Sequence, residues 1–134
     1  MRWPTQVLRG AAILMLLGLV AAVGVQAAVP GAPIPVGVDS LPAMIAITPD
    51  GAAAYVTLEN GGNVTPIDVA TNTPGAPIPV GDAPRGIAIT PDGAAAYVTN
   101  IGDNNVTPID LTTSTPGTPI PVGAQPVAIA ITPD

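Results

Sequence analysis

The sequence predicts an all-β chain of β-propeller blades, each of four antiparallel strands, forming an incomplete ring of about two to three blades behind a signal-peptide helix. Three observations lead there. Pro42, Pro84 and Pro126 open successive units of one 42-residue repeat. A strand-rich period of about 40–45 residues is the spacing of propeller blades. Within each unit, short aliphatic and β-branched runs alternate with turns rich in proline, glycine and asparagine, which reads as strands joined by tight connections.

The first 27 residues precede the repeats. Arg2 and Arg9 flank a short basic region, Gly10–Val25 is an apolar run, and Val25-Gln26-Ala27 places small residues at −3 and −1 of a cut. That is the three-part pattern of a secretory signal peptide, cleaved after Ala27. The mature chain is therefore expected to be secreted or held at the cell surface. An uncleaved membrane anchor is the competing reading, for which the apolar run is short against a span of ~20 residues.

The rest divides into a partial blade at 28–41 that supplies an outer strand, blade repeats at 42–83 and 84–125, and the start of a third at 126–134. The two whole repeats agree at 29 of 42 positions. Their first strand is Ile45–Thr48 and Ile87–Thr90, with Ile129–Thr132 opening the third copy. Thr-Pro-Asp-Gly follows at 48–51 and 90–93. Proline presets φ for the second turn position, and glycine takes the position that needs φ above zero. The second strand is Ala53–Thr57 and Ala95–Thr99. A polar loop, Glu59–Asn63 or Ile101–Asn105, leads to the third strand, Val64–Val69 or Val106–Leu111.

The fourth strand is Ile78–Val80 or Ile120–Val122, within Pro-Ile-Pro-Val-Gly at 33–37, 77–81 and 119–123. Alternate residues of a strand point their N–H groups to opposite edges, so alternate prolines blank one edge only. This makes a protected outer edge. Pro66 and Pro108 fit less simply. They fall inside the third strand, where a bulge or partial pairing is expected.

Composition removes several function classes. The chain has no cysteine and no histidine, which excludes disulfides, thiol chemistry and imidazole bases or ligands. Beyond residue 27, Arg85 is one cation against nine acids, a balance of −8. Such a surface repels nucleic acid and anionic lipid. No cofactor, metal or catalytic residue is assigned. Asp50, Asp92 and Asp134 share a turn position that turn chemistry explains. Asp103-Asn104-Asn105 lacks the spacing and terminal acid of a calcium loop. Thr48, Thr57 and the other hydroxyls have no base beside them. Asp68 and Asp110 are expected to bond to a nearby turn, and Tyr55 and Tyr97 to pack between blades. Asn63-Val64-Thr65 and Asn105-Val106-Thr107 match a glycosylation acceptor pattern, but each is followed by proline. The copies diverge mainly at Ala43-Met44 against Arg85-Gly86, and across 58–62 against 100–104. Varying loop positions on a repeated frame are where recognition is expected. Arg85, Asp103, Asn104 and Asn105 are therefore the candidate ligand-loop residues.

Ile-Ala-Ile-Thr-Pro-Asp-Gly, Tyr-Val-Thr-Asn at 97–100, Asn-Val-Thr-Pro-Ile-Asp and Ile-Pro-Val-Gly together resemble the YVTN-family β-propeller repeat over 32–134. The first copy departs at the name motif with Leu58, and alanine triplets at 52–54 and 94–96 replace bulkier residues after the turn. The resemblance implies a secreted or cell-surface propeller of bacteria or archaea, with a structural or binding role at the envelope. Related propellers include lactonase-like enzymes, so a fragment of such an enzyme is the alternative.

Closed propellers need about four to eight blades. Two whole repeats and two part-repeats are expected to be a fragment of a longer propeller. The other readings are self-association through exposed blade faces and a marginal open stack.

Overall fold

The chain makes a tight hairpin at Thr48-Pro49-Asp50-Gly51. The Gly51 N–H donates to the Thr48 carbonyl at 2.8 Å, and Gly51 sits at φ 73°, a conformation that costs glycine nothing. The Thr48 hydroxyl reaches Asp50 Oδ1 at 2.6 Å and accepts the Ala53 N–H at 3.0 Å. Asp50 Oδ1 also takes the Ala52 N–H at 3.0 Å. The turn is thus closed by its own side chains. Thr90, Asp92, Ala94 and Ala95 repeat every one of these bonds.

This computed structural model describes residues 31–133; the expected signal segment, 1–27, lies outside them. In the unit Ile34–Asp134, the first turn joins β1 (Pro42–Ile47) to β2 (Ala53–Leu58), which pairs antiparallel with β3 (Asn63–Asp68) from Ala53↔Asp68 to Leu58↔Asn63. Two short pieces, β4 (Thr73–Pro74) and β5 (Ile78–Pro79), pair with opposite ends of β3. The second sheet repeats the plan with β6 (Pro84–Ile89), β7 (Ala95–Asn100), β8 (Asn105–Asp110), β9 (Thr115–Pro116) and β10 (Ile120–Pro121). The expected all-β blades of antiparallel strands are present, with the outer strand of each split in two.

The split explains Pro66 and Pro108. A residue's N–H and C=O point to the same strand edge. The Pro66 carbonyl accepts from Gly75 at 2.8 Å and the Pro108 carbonyl from Gly117 at 2.7 Å, so the missing proline donors face the outer edge. The outer strand breaks there, and no β2 or β7 bond is lost. A Cβ at Gly75 would meet Pro66 Cγ at 3.0 Å, so glycine lets the chain cross the ring. The Val80 N–H donates inward to Gly62 and the Val122 N–H to Asn104, at 2.9 and 3.0 Å, as the protected-edge pattern requires.

Side-chain alternation divides each blade into two apolar faces. Tyr55, Val64 and Ile78 of the first blade meet Ile87, Ala96, Val98 and Ile109 of the second. Burying an aliphatic side chain of this size contributes about 1.5–3 kcal/mol. Among the described residues, the opposite face of the first blade (Ala54, Val56, Leu58, Ile67) is met by Ile34 and Val36. Those two stand where Ile78 stands on the next blade. Ile45 is accordingly 57% exposed, while its repeat equivalent Ile87 is 5% exposed.

Candidate functional site

The loops where the copies diverge gather at the joint between blades. Ala83, just before Pro84, sits at φ 50°, a left-handed conformation that costs a non-glycine residue about 1–2 kcal/mol. Surrounding bonds over-determine it. Ile101 N–H donates to Ala83 O at 3.0 Å and Gly102 N–H to Asp82 O at 3.1 Å. Asp103 Oδ2 accepts the Asp82 N–H at 2.8 Å. At the following connector, Asn104 Oδ1 accepts the N–H of Gln125 at 2.8 Å, itself at φ 54°. Of the four candidate ligand-loop residues, Asp103 and Asn104 lie in one loop and Asn105 opens β8. Asp103 and Asn104 hold the chain as it crosses between repeats, and Asn105 belongs to the network of Asn100. Arg85 stands apart from that loop's bonding. Its Nε lies 3.6 Å from Glu59 Oε1 of the first blade, an ion pair exposed enough to be worth little.

Asn100, the last residue of Tyr-Val-Thr-Asn, is fully buried. Its Nδ2 donates to Asn105 Oδ1 at 2.7 Å and to Thr107 Oγ1 at 2.8 Å, and its Oδ1 accepts the Gly81 N–H at 3.2 Å. Leu58 takes this place in the first blade and packs toward Ile34 and Val36. One consequence is an orphan. Asn63 Oδ1, the equivalent of the Asn105 acceptor, is buried with no partner among the described residues.

Thr57 carries a role that sequence reasoning missed. The β1–β2 register shifts between Pro42 and Ile45, a bulge that sets Ala43 and Met44 opposite one residue, Thr57. Thr57 Oγ1 accepts the Met44 N–H at 3.0 Å and donates to Arg85 O at 2.8 Å. Thr99 repeats this with the Gly86 N–H at 2.8 Å and Val127 O at 3.4 Å. Each hydroxyl fills a bulge in its own blade and ties it to the opening residues of the next repeat. The one signal in the sequence was the recurrence of threonine at 57 and 99.

The turn carboxylates are similarly committed. A hydrogen bond from Thr48, then the Ala52 N–H, holds Asp50 below the ordinary carboxylate value, and Thr90 and Ala94 do the same for Asp92. The Thr71 N–H and hydroxyl depress Asp68, and the Thr112 hydroxyl and N–H depress Asp110. Burial, then the Asp50 charge, pushes the Tyr55 phenol up. Beside Asp68 and Asp110 each blade has an equivalent open groove, of about 390 and 440 Å³, floored by Pro66 or Pro108. Among the described residues no three acids converge as a metal site would require.

This geometry has counterparts among solved structures. Hydrazine synthase of Kuenenia stuttgartiensis matches 81% of this chain and 30% of its own, with TM-score 0.69 and 28% identity. A functionally unknown protein of Desulfotomaculum acetoxidans matches 75% of this chain and 32% of its own, at 0.64 and 24%. The WD40 repeats of RRP9 match 66% of this chain and 28% of their own, at 0.58 and 15%. The fold is that of β-propeller blades. The chain spans under a third of the length of these proteins. No family model and no curated protein matches it.

Proposed function

We propose that the chain is an exported, YVTN-type propeller module with a structural or binding role at the cell envelope and no catalytic centre of its own. The observation that carries this reading is the use of the repeat's polar side chains. Thr57, Thr99, Asn100, Asp103 and Asn104 tie blade to blade or connector to loop. Asp50 and Asp92 close hairpins. A frame whose polar groups are engaged in its own joints suits a scaffold that presents loops. The apolar run of Gly10–Val25 before Ala27 supports export.

The test is fractionation of a bacterial host expressing the full chain, with N-terminal sequencing of the product. A mature protein beginning at Ala28 outside the cytoplasm is expected. Uncleaved cytoplasmic product would overturn the export reading. Lactone hydrolysis by the purified protein above the buffer rate would instead favour the lactonase-like alternative.

A further inference from the structure

In β3 the backbone groups of Val64, Pro66 and Asp68 face the outer strand, because the Pro66 carbonyl accepts there from Gly75 and alternate residues share an edge. Their partners Ile78 and Thr73 therefore face inward, and Pro74 and Pro79 face out. A proline facing out presents a carbonyl and no N–H. Pro116 and Pro121 hold the same places in the second blade, and all four residues are exposed. At these positions the outer rim of each blade is an edge of acceptors without donors. A further strand pairs poorly with it, since strand addition uses both. A ligand rich in donors suits it.

The two open grooves lie beside this rim. The first, of about 390 Å³, is lined by the short side chains of Ala52 and Ala53, by Pro66 and Pro74, and by Asp68. The second, of about 440 Å³, is lined by the repeat equivalents of all five. The first stays open with the second blade stacked beside it, so the groove is a property of the single blade. Both bonds from Thr71 go to Asp68 Oδ1, and those from Thr112 and Thr113 go to Asp110 Oδ1. Among the described residues nothing bonds either Oδ2. Arg85, the one cation against the acids of this region, lines neither groove.

We propose that each groove takes a basic side chain of a partner polypeptide. The aliphatic stem of a lysine or arginine lies over the alanines and prolines, and its cationic head bonds to Asp68 or Asp110 Oδ2 and to the rim carbonyl of Pro74 or Pro116. Open grooves suit a side chain presented by a large partner better than a free small molecule, which needs most of its surface buried. One exposed ion pair holds little, so affinity comes from one partner engaging both blades. This gives the binding role proposed above a partner class and rests on that reading. Its test uses purified protein, so its failure and a failure of export are told apart.

The experiment is an NMR titration of the purified full chain with acetylated, amidated hexalysine in about 0.1 M salt, where charges more than about 10 Å apart are largely screened. Saturable shifts centred on the Gly75 and Gly117 amides are expected. Asp68→Asn with Asp110→Asn keeps an oxygen for the turn bonds and should weaken binding about tenfold or more. Asp39→Asn with Glu59→Gln removes the same charge at the other end of β2 and β3, roughly 17 Å away, and should leave affinity within about twofold. Absence of saturable shifts, shifts spread evenly over both ends of the blades, or equal weakening by the two double variants would overturn the proposal.

Discussion

Replacing Thr57 by valine keeps the side chain's shape and removes its hydroxyl. The Met44 N–H and the Arg85 carbonyl would each lose their bond to it at a residue that is fully buried. Leaving such groups unsatisfied costs about 1–3 kcal/mol, so urea unfolding should show that loss for Thr57→Val and much less for Thr57→Ser. A second expectation compares two equivalent asparagines. Asn105 Oδ1 has a donor in Asn100, while Asn63 Oδ1 has none among the described residues. Asn105→Ala should therefore destabilise by about 1 kcal/mol more than Asn63→Ala; equal losses would remove the network from the account. Tyr55 was legible as an interblade residue, because an aromatic recurring in an apolar strand has few other uses. The threonine latch was not. Its meaning depends on a bulge in the facing strand and on a carbonyl 28 positions later in the chain, neither of which leaves a local pattern. Leu58 reads in sequence as a lapse from the motif, whereas in the fold it packs toward Ile34 and Val36.

At the scale of elements, the Thr-Pro-Asp-Gly hairpin is where sequence and structure agree most closely, because its bonds span five residues or fewer. With the Asp68 and Asp110 turns it also shapes the acid response. Asp50, Asp68, Asp92 and Asp110 are all depressed below 3.8 by hydrogen bonds made in the folded chain. Their stabilisation is complete above the unfolded value of 3.8 and is lost as pH falls through the lower folded values. Thermal melting followed from neutral pH to about pH 2.5 should show stability falling across that window. Asp50→Asn and Asp92→Asn should flatten the fall by lowering stability at neutral pH toward the acid value, since a neutral amide accepts these bonds without the charge that strengthens them; an unchanged acid profile would contradict this. The outer strand was legible only in part. Alternate prolines announce a protected edge, but its division into β4 and β5 follows from Pro66, which offers the outer edge a carbonyl to the Gly75 N–H and no donor in return, a pairing between separate parts of the repeat. The variable loops signalled recognition by their differences. The structure places Asp103 and Asn104 on connector N–H groups, a joint formed only when successive repeats stack.

For the molecule as a whole, the two blades stand as one stack. Tyr55 from the first meets the Ile87, Val98 and Ile109 face of the second, and the Thr57 bond to Arg85 crosses the same seam. The repeat period made blades legible; the stacking order followed from alternation, since faces of opposite parity in β2 and β7 must meet. The most direct measurement is native-state hydrogen exchange on the protein and on Tyr55→Leu. If the seam joins the blades into one cooperative unit, slow amides of β3 and β8 lose the same amount of protection together. If the substitution lowers protection in the first blade alone, the blades are independent and the stack is not what holds the molecule.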